Sequence, residues 1–147
     1  MVTDSDLQTH HPAILVVEHN RFLRDLICDW LGAAGYIAHA AGDIRSAIAW
    51  LDRRRFDLVL IDVHLPRREG ISLIRSVESK LLGTPMVLLT GVDSYDDVLA
   101  SVPAEVPCVK VAKPYSFFGL GLVLEAVLAG SRANGGGGSG ASDATCR

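Results

Sequence analysis

The chain has 147 residues, of which 49% are hydrophobic and 21% are charged, and its formal net charge is −3. This length fits one domain of ordinary size, and the mild charge does not favour binding to nucleic acid or to an anionic membrane. Residues 1–12 lack the apolar centre of a secretion signal, and no later apolar run reaches the roughly 18 residues of a membrane span. We therefore expect a cytoplasmic protein.

The cysteines also bear on the compartment. Cys28, Cys108 and Cys146 are odd in number and lack CxxC spacing, which argues against a disulfide framework or a zinc site. This pattern fits a reducing cytoplasm. We expect Cys28 and Cys108 to act as small core residues.

Apolar runs with strand character alternate with helical patterns, an order typical of βαβ units in a parallel sheet. The first predicted strand, 14–17, ends at Glu18. Asn20 is then positioned to cap a helix, and Gly32 and Gly35 lie near its end. The helix carries six apolar residues at helical spacing, which we expect to face the sheet: Phe22, Leu23, Leu26, Ile27, Trp30 and Leu31.

A weaker second strand, 36–41, leads to a predicted helix over 44–55. Its inward residues are predicted to be Ile44, Ala47, Ile48 and Leu51. Arg53, Arg54 and Arg55 lie near its C-terminal end, where basic residues complement the helix dipole. We therefore assign these arginines no binding role.

The third and fourth predicted strands each end at a polar residue. The apolar run 58–61 ends at Asp62, and the run 86–89 ends at Thr90. A predicted helix begins after Gly70 and ends near Gly83. Between 93 and 107 the helical signal is short, so this element is the least defined of the pattern.

The fifth predicted strand, 108–112, ends at Lys113-Pro114 and leads to a helix over about 116–129 in which Glu125 is the only charged residue. Because a helix that is apolar all round seeks burial on more than one side, we expect it to cover the sheet and to meet a partner or a second copy. Residues 131–147 are Gly-rich and read as a flexible tail, a linker or a cloning remnant. We predict a flexible segment at 1–12 and one folded domain at 13–130.

Four strand ends thus bring Glu18, Asp62, Thr90 and Lys113 to the carboxyl edge of one sheet, where open α/β sheets bind ligands. The pattern resembles the receiver domain of two-component response regulators, of the stand-alone type, over roughly residues 13–128. The resemblance implies a flavodoxin-like (βα)5 fold, a doubly wound parallel sheet in three αβα layers. It also suggests a cis bond before Pro114.

The same resemblance implies a function in phosphorelay signal transduction. Asp62 would accept a phosphoryl group from a histidine kinase or a phosphotransfer protein, and Thr90 and Lys113 would contact that group. Glu18, Asp62 and the backbone carbonyl of His64 would hold Mg²⁺. The protein would then be a regulatory phosphoacceptor rather than an enzyme, with at most self-catalysed phosphoryl transfer and dephosphorylation. Its output would pass through contacts with a downstream protein target.

Two positions depart from the family pattern. The family's acidic pair is here Glu18-His19, and imidazole is a poor ligand for Mg²⁺, so we expect weakened Mg²⁺ affinity. His19 could instead remain neutral, pair as a cation with Asp62 or its phosphate, or join Glu18, Asp62 and His64 around a transition metal. Lys110 stands where the family generally has an aromatic switch residue.

Three functional hypotheses follow from these residues. The first is a working receiver, and the second is a degenerate receiver that acts as a phosphorylation-independent interaction module. The third is a metal-dependent phosphohydrolase with Asp62 as nucleophile, which is disfavoured because His64 stands where such enzymes repeat Asp. The turn after the first strand lacks the glycines of a dinucleotide-binding or P-loop protein. We expect no DNA-binding output within this chain, unless the Gly-rich tail marks where a longer protein was cut.

Overall fold

The computed structural model describes residues 11–62, 74–75, 83–91 and 108–134, with the side chains of 132–134 left out. In this part of the chain the predicted strands are all present. Their bounds are β1 Ala13–Val17, β2 Ile37–Ala41, β3 Leu58–Asp62, β4 Met86–Thr90 and β5 Cys108–Ala112. β1, β3 and β4 are buried along their whole length, as expected of strands covered on both faces.

The described helices are α1 Arg21–Ala33, α2 Ile44–Arg53 and α3 Phe117–Asn134. Asn20 caps α1 as predicted, because its side-chain oxygen accepts a hydrogen bond from the backbone N–H of Leu23 at 3.1 Å. The chain leaves α1 through Gly35, whose φ of 95° lies in the left-handed region that favours glycine. α2 ends slightly before its predicted end, and α3 continues past the predicted end at residue 129.

The five strands form one parallel sheet in the order β2-β1-β3-β4-β5. This is the strand order of flavodoxin-like folds, whose ligands bind at the carboxyl ends of the strands, where the order reverses. The reversal falls at β1, which has β2 on one side and β3 on the other. The predicted fold class is therefore confirmed.

Alternating residues of each strand supply two separate cores, one on each face of the sheet. In β1, Leu15 and Val17 pack on the α2 side, whereas Ile14 and Val16 pack on the side of α1 and α3. The second core also receives three leucines of α3, which are Leu120, Leu124 and Leu128. The helices are thus held on opposite faces, and the carboxyl edge of the sheet is left for the polar residues.

One prediction for α1 is wrong in part. Ile27 and Leu31 are buried against the sheet, but Phe22 is 87% exposed and Leu26 is 53% exposed. Six apolar residues at these positions cover a wider arc of the helix than one sheet can bury, and Phe22 and Leu26 share a side because they are four residues apart. In α2 the prediction is confirmed, because Ala47 is buried with Ile44, Ile48 and Leu51 packed around it.

The cysteine prediction also needs a correction. Cys28 is a free thiol packed against the core, and Cys108 is buried in the core, as expected. Cys108 is, however, disulfide-bonded, so its sequence spacing did not exclude a disulfide. Of the predicted helix over about 70–83, the structure describes only residues 74–75, which are helical with Ile74 buried in the core, and residue 83. The predicted helical segment within 93–107 and the tail beyond 134 lie outside the described residues. No described helix is both long and apolar enough to cross a membrane.

Candidate functional site

The polar ends of four strands meet at the carboxyl edge of the sheet. Glu18 follows β1 directly, Asp62 and Thr90 are the last residues of β3 and β4, and Lys113 follows β5 directly. The first three side chains belong to residues that are almost completely buried, with exposed fractions of 4%, 4% and 0%. The sequence prediction that these residues converge is confirmed for this edge.

The shortest contact in the site is an ion pair. Lys113 Nζ donates to Asp62 Oδ2 at 2.6 Å, and the lysine side chain is 30% exposed whereas the aspartate side chain is 5% exposed. Lys113 is held in position by its backbone, because its N–H donates to the carbonyl of Thr90 at 2.7 Å and so continues the β4–β5 ladder. The charge of Asp62 is therefore balanced by a cation that can still be reached from solvent.

Glu18 is the second carboxyl group of the site. Its Oε1 accepts a hydrogen bond from the backbone N–H of Asn20 at 2.9 Å, whereas its Oε2 is buried and has no hydrogen-bond partner among the described residues. Burial, with the neighbouring Asp62 carboxyl adding to it, raises the pKa of Glu18 to about 7. Two acidic groups thus share a pocket that is short of positive charge, although Lys113 lowers the pKa of Glu18 somewhat.

Thr90 contributes a buried hydroxyl. Its Oγ1 has no hydrogen-bond partner among the described residues. A buried hydroxyl without a partner is costly, which makes this atom a ready donor or acceptor for a group that enters the site.

The two atypical positions differ in their surroundings. His19 is exposed at the rim, next to Glu18. Lys110 lies in the middle of β5, where it is partly buried and in register with Leu88 of β4.

The predicted ligand carbonyl of His64 lies outside the described residues. Within those residues, no three His, Cys, Asp or Glu side chains come close enough to hold a metal. The alternative transition-metal site stays a prediction, because it includes His64.

Sequence reasoning missed two residues beside the site. Tyr115 is partly buried, and burial together with the charges of Glu18 and Asp62 raises the pKa of its phenol above the ordinary value. Arg24 donates from Nη1 to the carbonyl of Glu18 at 2.9 Å. One feature of the sequence could have identified Arg24. It lies near the start of a helix, where a basic side chain interacts unfavourably with the helix dipole, which indicates that it has a separate structural or functional role.

An apolar pocket adjoins the ion pair. It has a volume of about 540 Å³ and is lined by Leu23, Lys113, Pro114, Tyr115 and Phe117. The peptide bond between Lys113 and Pro114 is cis, as the resemblance suggested. The pocket therefore extends from Lys113 to the first turns of α1 and α3.

The sequence is similar to those of known proteins. The sequence profile of the response regulator receiver domain matches residues 14–116. The chain is 35% identical over 115 residues to the probable transcriptional regulatory protein TcrX of Mycobacterium tuberculosis, covering 78% of this chain and 49% of that protein. It is 31% identical to the two-component response regulator PhoP of Pseudomonas aeruginosa, covering 78% of this chain and 51% of that protein. The chain thus spans about half the length of these curated relatives.

Solved structures agree with the sequence relatives. The chemotaxis response regulator CheY4 of Vibrio cholerae superposes with a TM-score of 0.69 at 25% identity, covering 80% of this chain and 99% of that chain. NtrX of Brucella abortus superposes with a TM-score of 0.73 at 25% identity, covering 85% of this chain and 28% of that chain. The chain therefore belongs to the family of response regulator receiver domains.

Proposed function

We propose that this protein is a two-component receiver that accepts a phosphoryl group on Asp62 from a histidine kinase or a phosphotransfer protein. The observation that supports this proposal best is the 2.6 Å contact between Lys113 Nζ and Asp62 Oδ2 at the carboxyl edge of the sheet. A buried carboxylate held beside a partly exposed lysine is a nucleophile with a countercharge for the incoming phosphate already in place.

The proposed reaction is a displacement at phosphorus. An oxygen of the Asp62 carboxylate forms a bond to the phosphorus of a phosphohistidine, the P–N bond breaks, and its electron pair returns to the imidazole nitrogen of the donor. The product is an acyl phosphate on Asp62. Lys113 pairs with its phosphoryl oxygens, and Thr90 Oγ1, which has no hydrogen-bond partner among the described residues, donates a hydrogen bond to one of them.

The site also fits a divalent cation. Glu18 Oε2 is a buried oxygen without a hydrogen-bond partner among the described residues, and it belongs to a carboxyl group that shares the pocket with Asp62. Mg²⁺ prefers oxygen ligands of this kind and would neutralise charge on the phosphoryl group. We propose Glu18 and Asp62 as its ligands, with the backbone carbonyl of His64 as a third. Since His19 replaces an acidic residue, the affinity should be below that of the usual acidic pair.

We propose that the phosphodonor protein binds next to the ion pair. The apolar pocket between Leu23, Pro114 and Phe117 begins at Lys113 and offers such a protein a surface beside Asp62.

The conformational signal that follows phosphorylation should differ from that of the family, because Lys110 cannot act as a buried aromatic switch. The cytoplasmic location, the domain bounds and the absence of nucleic-acid or membrane partners stay predictions.

A second copy of the chain is a further proposed partner. The exposed side of α3 carries Phe118, Leu122, Ala126 and Ala129, spaced along one stripe, with large residues at one end and small ones at the other. An antiparallel two-fold pair would place the large residues of one copy over the small residues of the other. Glu125 is the only charged residue of α3 up to Gly130, so like charges would not oppose this pairing along most of the stripe.

The experiment that tests the proposed function is intact mass after incubation with a small-molecule phosphodonor and Mg²⁺. We expect one phosphate on the natural chain and none on Asp62→Asn, whereas Asp25→Asn, a change at an exposed position of α1, should still be modified. If the natural chain takes no phosphate but His19→Asp does, the degenerate interaction module becomes the better description. A phosphate that persists on Asp62→Asn would reject Asp62 as the acceptor.

A further inference from the structure

Arg24 connects helix α1 to the backbone that carries Glu18 and His19. Its Nη1 donates to the carbonyl oxygen of Glu18 at 2.9 Å and, more weakly, to that of His19 at 3.4 Å. Its own backbone N–H donates to the carbonyl of Asn20 at 2.8 Å, as in the first turn of a helix. The side chain therefore reaches back along the helix to the two residues that replace the family's acidic pair.

The guanidinium group lies on Gly42, in the connection between β2 and α2. A Cβ atom at residue 42 would stand 2.7 Å from Arg24 Nη1 and 3.4 Å from its Cζ, and the nearest atoms in its way all belong to Arg24. Gly42 is not in the left-handed region, so its backbone does not require glycine. The space that a side chain at this position would take is occupied by the end of Arg24, which would have to shift.

These contacts hold Glu18 from several directions. Its backbone N–H donates to the carbonyl of Ala41 at 3.0 Å, its carbonyl accepts from Arg24, and its Oε1 accepts from the N–H of Asn20. With these atoms occupied, the remaining Oε2 is left in the buried pocket that Glu18 shares with Asp62. Without the guanidinium, the carbonyl of Glu18 would lose its charged donor, and the backbone of this residue would be held less firmly.

We propose that Arg24 is a positioning residue for the phosphorylation site, and that Gly42 provides the space that it needs. The guanidinium fixes the backbone of residues 18–19 so that Glu18 keeps its buried Oε2 in the pocket that it shares with Asp62. This inference deepens the proposed function and rests on it only for the metal-binding measurement described below. Outer groups that orient a metal ligand are typically worth about 10- to 100-fold in metal affinity.

The test compares Arg24→Met, Arg24→Lys and Gly42→Ala with Arg21→Met. Arg21 also lies in the first turn of α1, but it is exposed and pairs only loosely with Asp25, at 3.9 Å. The first readout is the hydrogen-exchange rate of the Asn20 amide, measured by NMR in buffer without Mg²⁺. The second is the Mg²⁺ dissociation constant, measured by calorimetry.

We expect Arg24→Met to speed exchange at Asn20 and to weaken Mg²⁺ binding, each by about tenfold. Gly42→Ala should act in the same direction, because its methyl group displaces the guanidinium. Arg24→Lys should recover part of both effects, since an ammonium group can serve one carbonyl. Arg21→Met should match the natural chain.

The proposal is overturned if Arg24→Met and Gly42→Ala leave Asn20 exchange and Mg²⁺ affinity unchanged. It is also overturned if all protected amides accelerate to the same extent, because that result would mean a general loss of stability. Should Arg24→Met fail to fold, Gly42→Ala and Arg24→Lys still decide the question. If the natural chain binds no Mg²⁺, the proposed metal site fails, whereas exchange at Asn20 still tests the role of Arg24.

Discussion

Lys113 Nζ lies 2.6 Å from Asp62 Oδ2, although the strands that carry these residues are not neighbours in the sheet. β4 runs between β3 and β5, and its last residue, Thr90, binds the backbone of Lys113 through its carbonyl. The lysine side chain therefore reaches across one strand to meet the aspartate. A phosphoryl group on Asp62 would be enclosed between this ammonium and the hydroxyl of Thr90.

Replacing Lys113 by methionine should destabilise the fold and slow phosphorylation. The change leaves the buried Asp62 carboxylate without its countercharge, and because Lys113 is partly exposed we expect a loss of about 2 kcal/mol rather than the larger cost of a fully buried pair. Urea unfolding measures the first effect. The initial rate of phosphate addition should fall by about tenfold or more. Equal rates for the natural chain and Lys113→Met would remove Lys113 from the proposed reaction.

Glu18 should make stability depend on pH. Its pKa is about 7 in the folded state and 4.5 in its ordinary state, so between these values the folded protein holds a proton that the unfolded chain has released. The free energy of unfolding should therefore be highest below this window, fall as the pH rises through it, and level off above pH 7. The full change is at most about 3 kcal/mol.

Urea unfolding in buffer without Mg²⁺, between about pH 5 and about pH 8, measures this slope. Glu18→Gln should flatten it, whereas Glu125→Gln, a change at an exposed position of α3, should leave it intact. Added Mg²⁺ should also flatten the slope, because the cation favours the ionised carboxylate. Parallel curves for Glu18→Gln and the natural chain would show that another group sets the dependence.

Restoring an acidic residue at position 19 should strengthen Mg²⁺ binding. His19→Asp adds a hard oxygen ligand next to Glu18, and we expect the dissociation constant for Mg²⁺ to fall by about tenfold. His11→Asp is the charge-matched control, because His11 precedes β1 and lies at the opposite edge of the sheet. Calorimetry on both variants distinguishes a new metal ligand at position 19 from a general effect of added negative charge. An equal gain in affinity for both would indicate general electrostatic attraction.

Leu122→Glu should prevent the proposed pairing through α3. It places a charge in the exposed apolar stripe, where two copies would bring like charges together. Leu26→Glu is a matched control, because Leu26 has the same 53% exposure but lies on α1. Sedimentation velocity over a range of concentrations should show a dimer for the natural chain and for Leu26→Glu, and a monomer for Leu122→Glu. A natural chain that stays monomeric at all concentrations would reject the dimer.

Much of the site could be predicted because its polar residues are placed by their positions in the sequence, at the ends of the strands. Each of the four polar residues ends or directly follows an apolar run, and parallel strands bring their carboxyl ends to one edge whatever the details of packing. One wrong prediction concerns packing, in helix α1. Phe22 and Leu26 could not be separated from Ile27 and Leu31 by helical spacing alone, because spacing shows which residues share a side but not how wide a side the sheet covers.

Local hydrophobic pattern and residue identity were enough to predict the five strands, the three described helices, the residue at the end of each strand, and the departures at His19 and Lys110. Two features could be seen only in the folded protein: Glu18 has a buried oxygen with no hydrogen-bond partner among the described residues, and Arg24 lies on Gly42 while it binds the carbonyl of Glu18. These features depend on contacts between residues of different elements. No local pattern records such contacts, because they arise only when α1 and the β2–α2 connection pack around the end of β1.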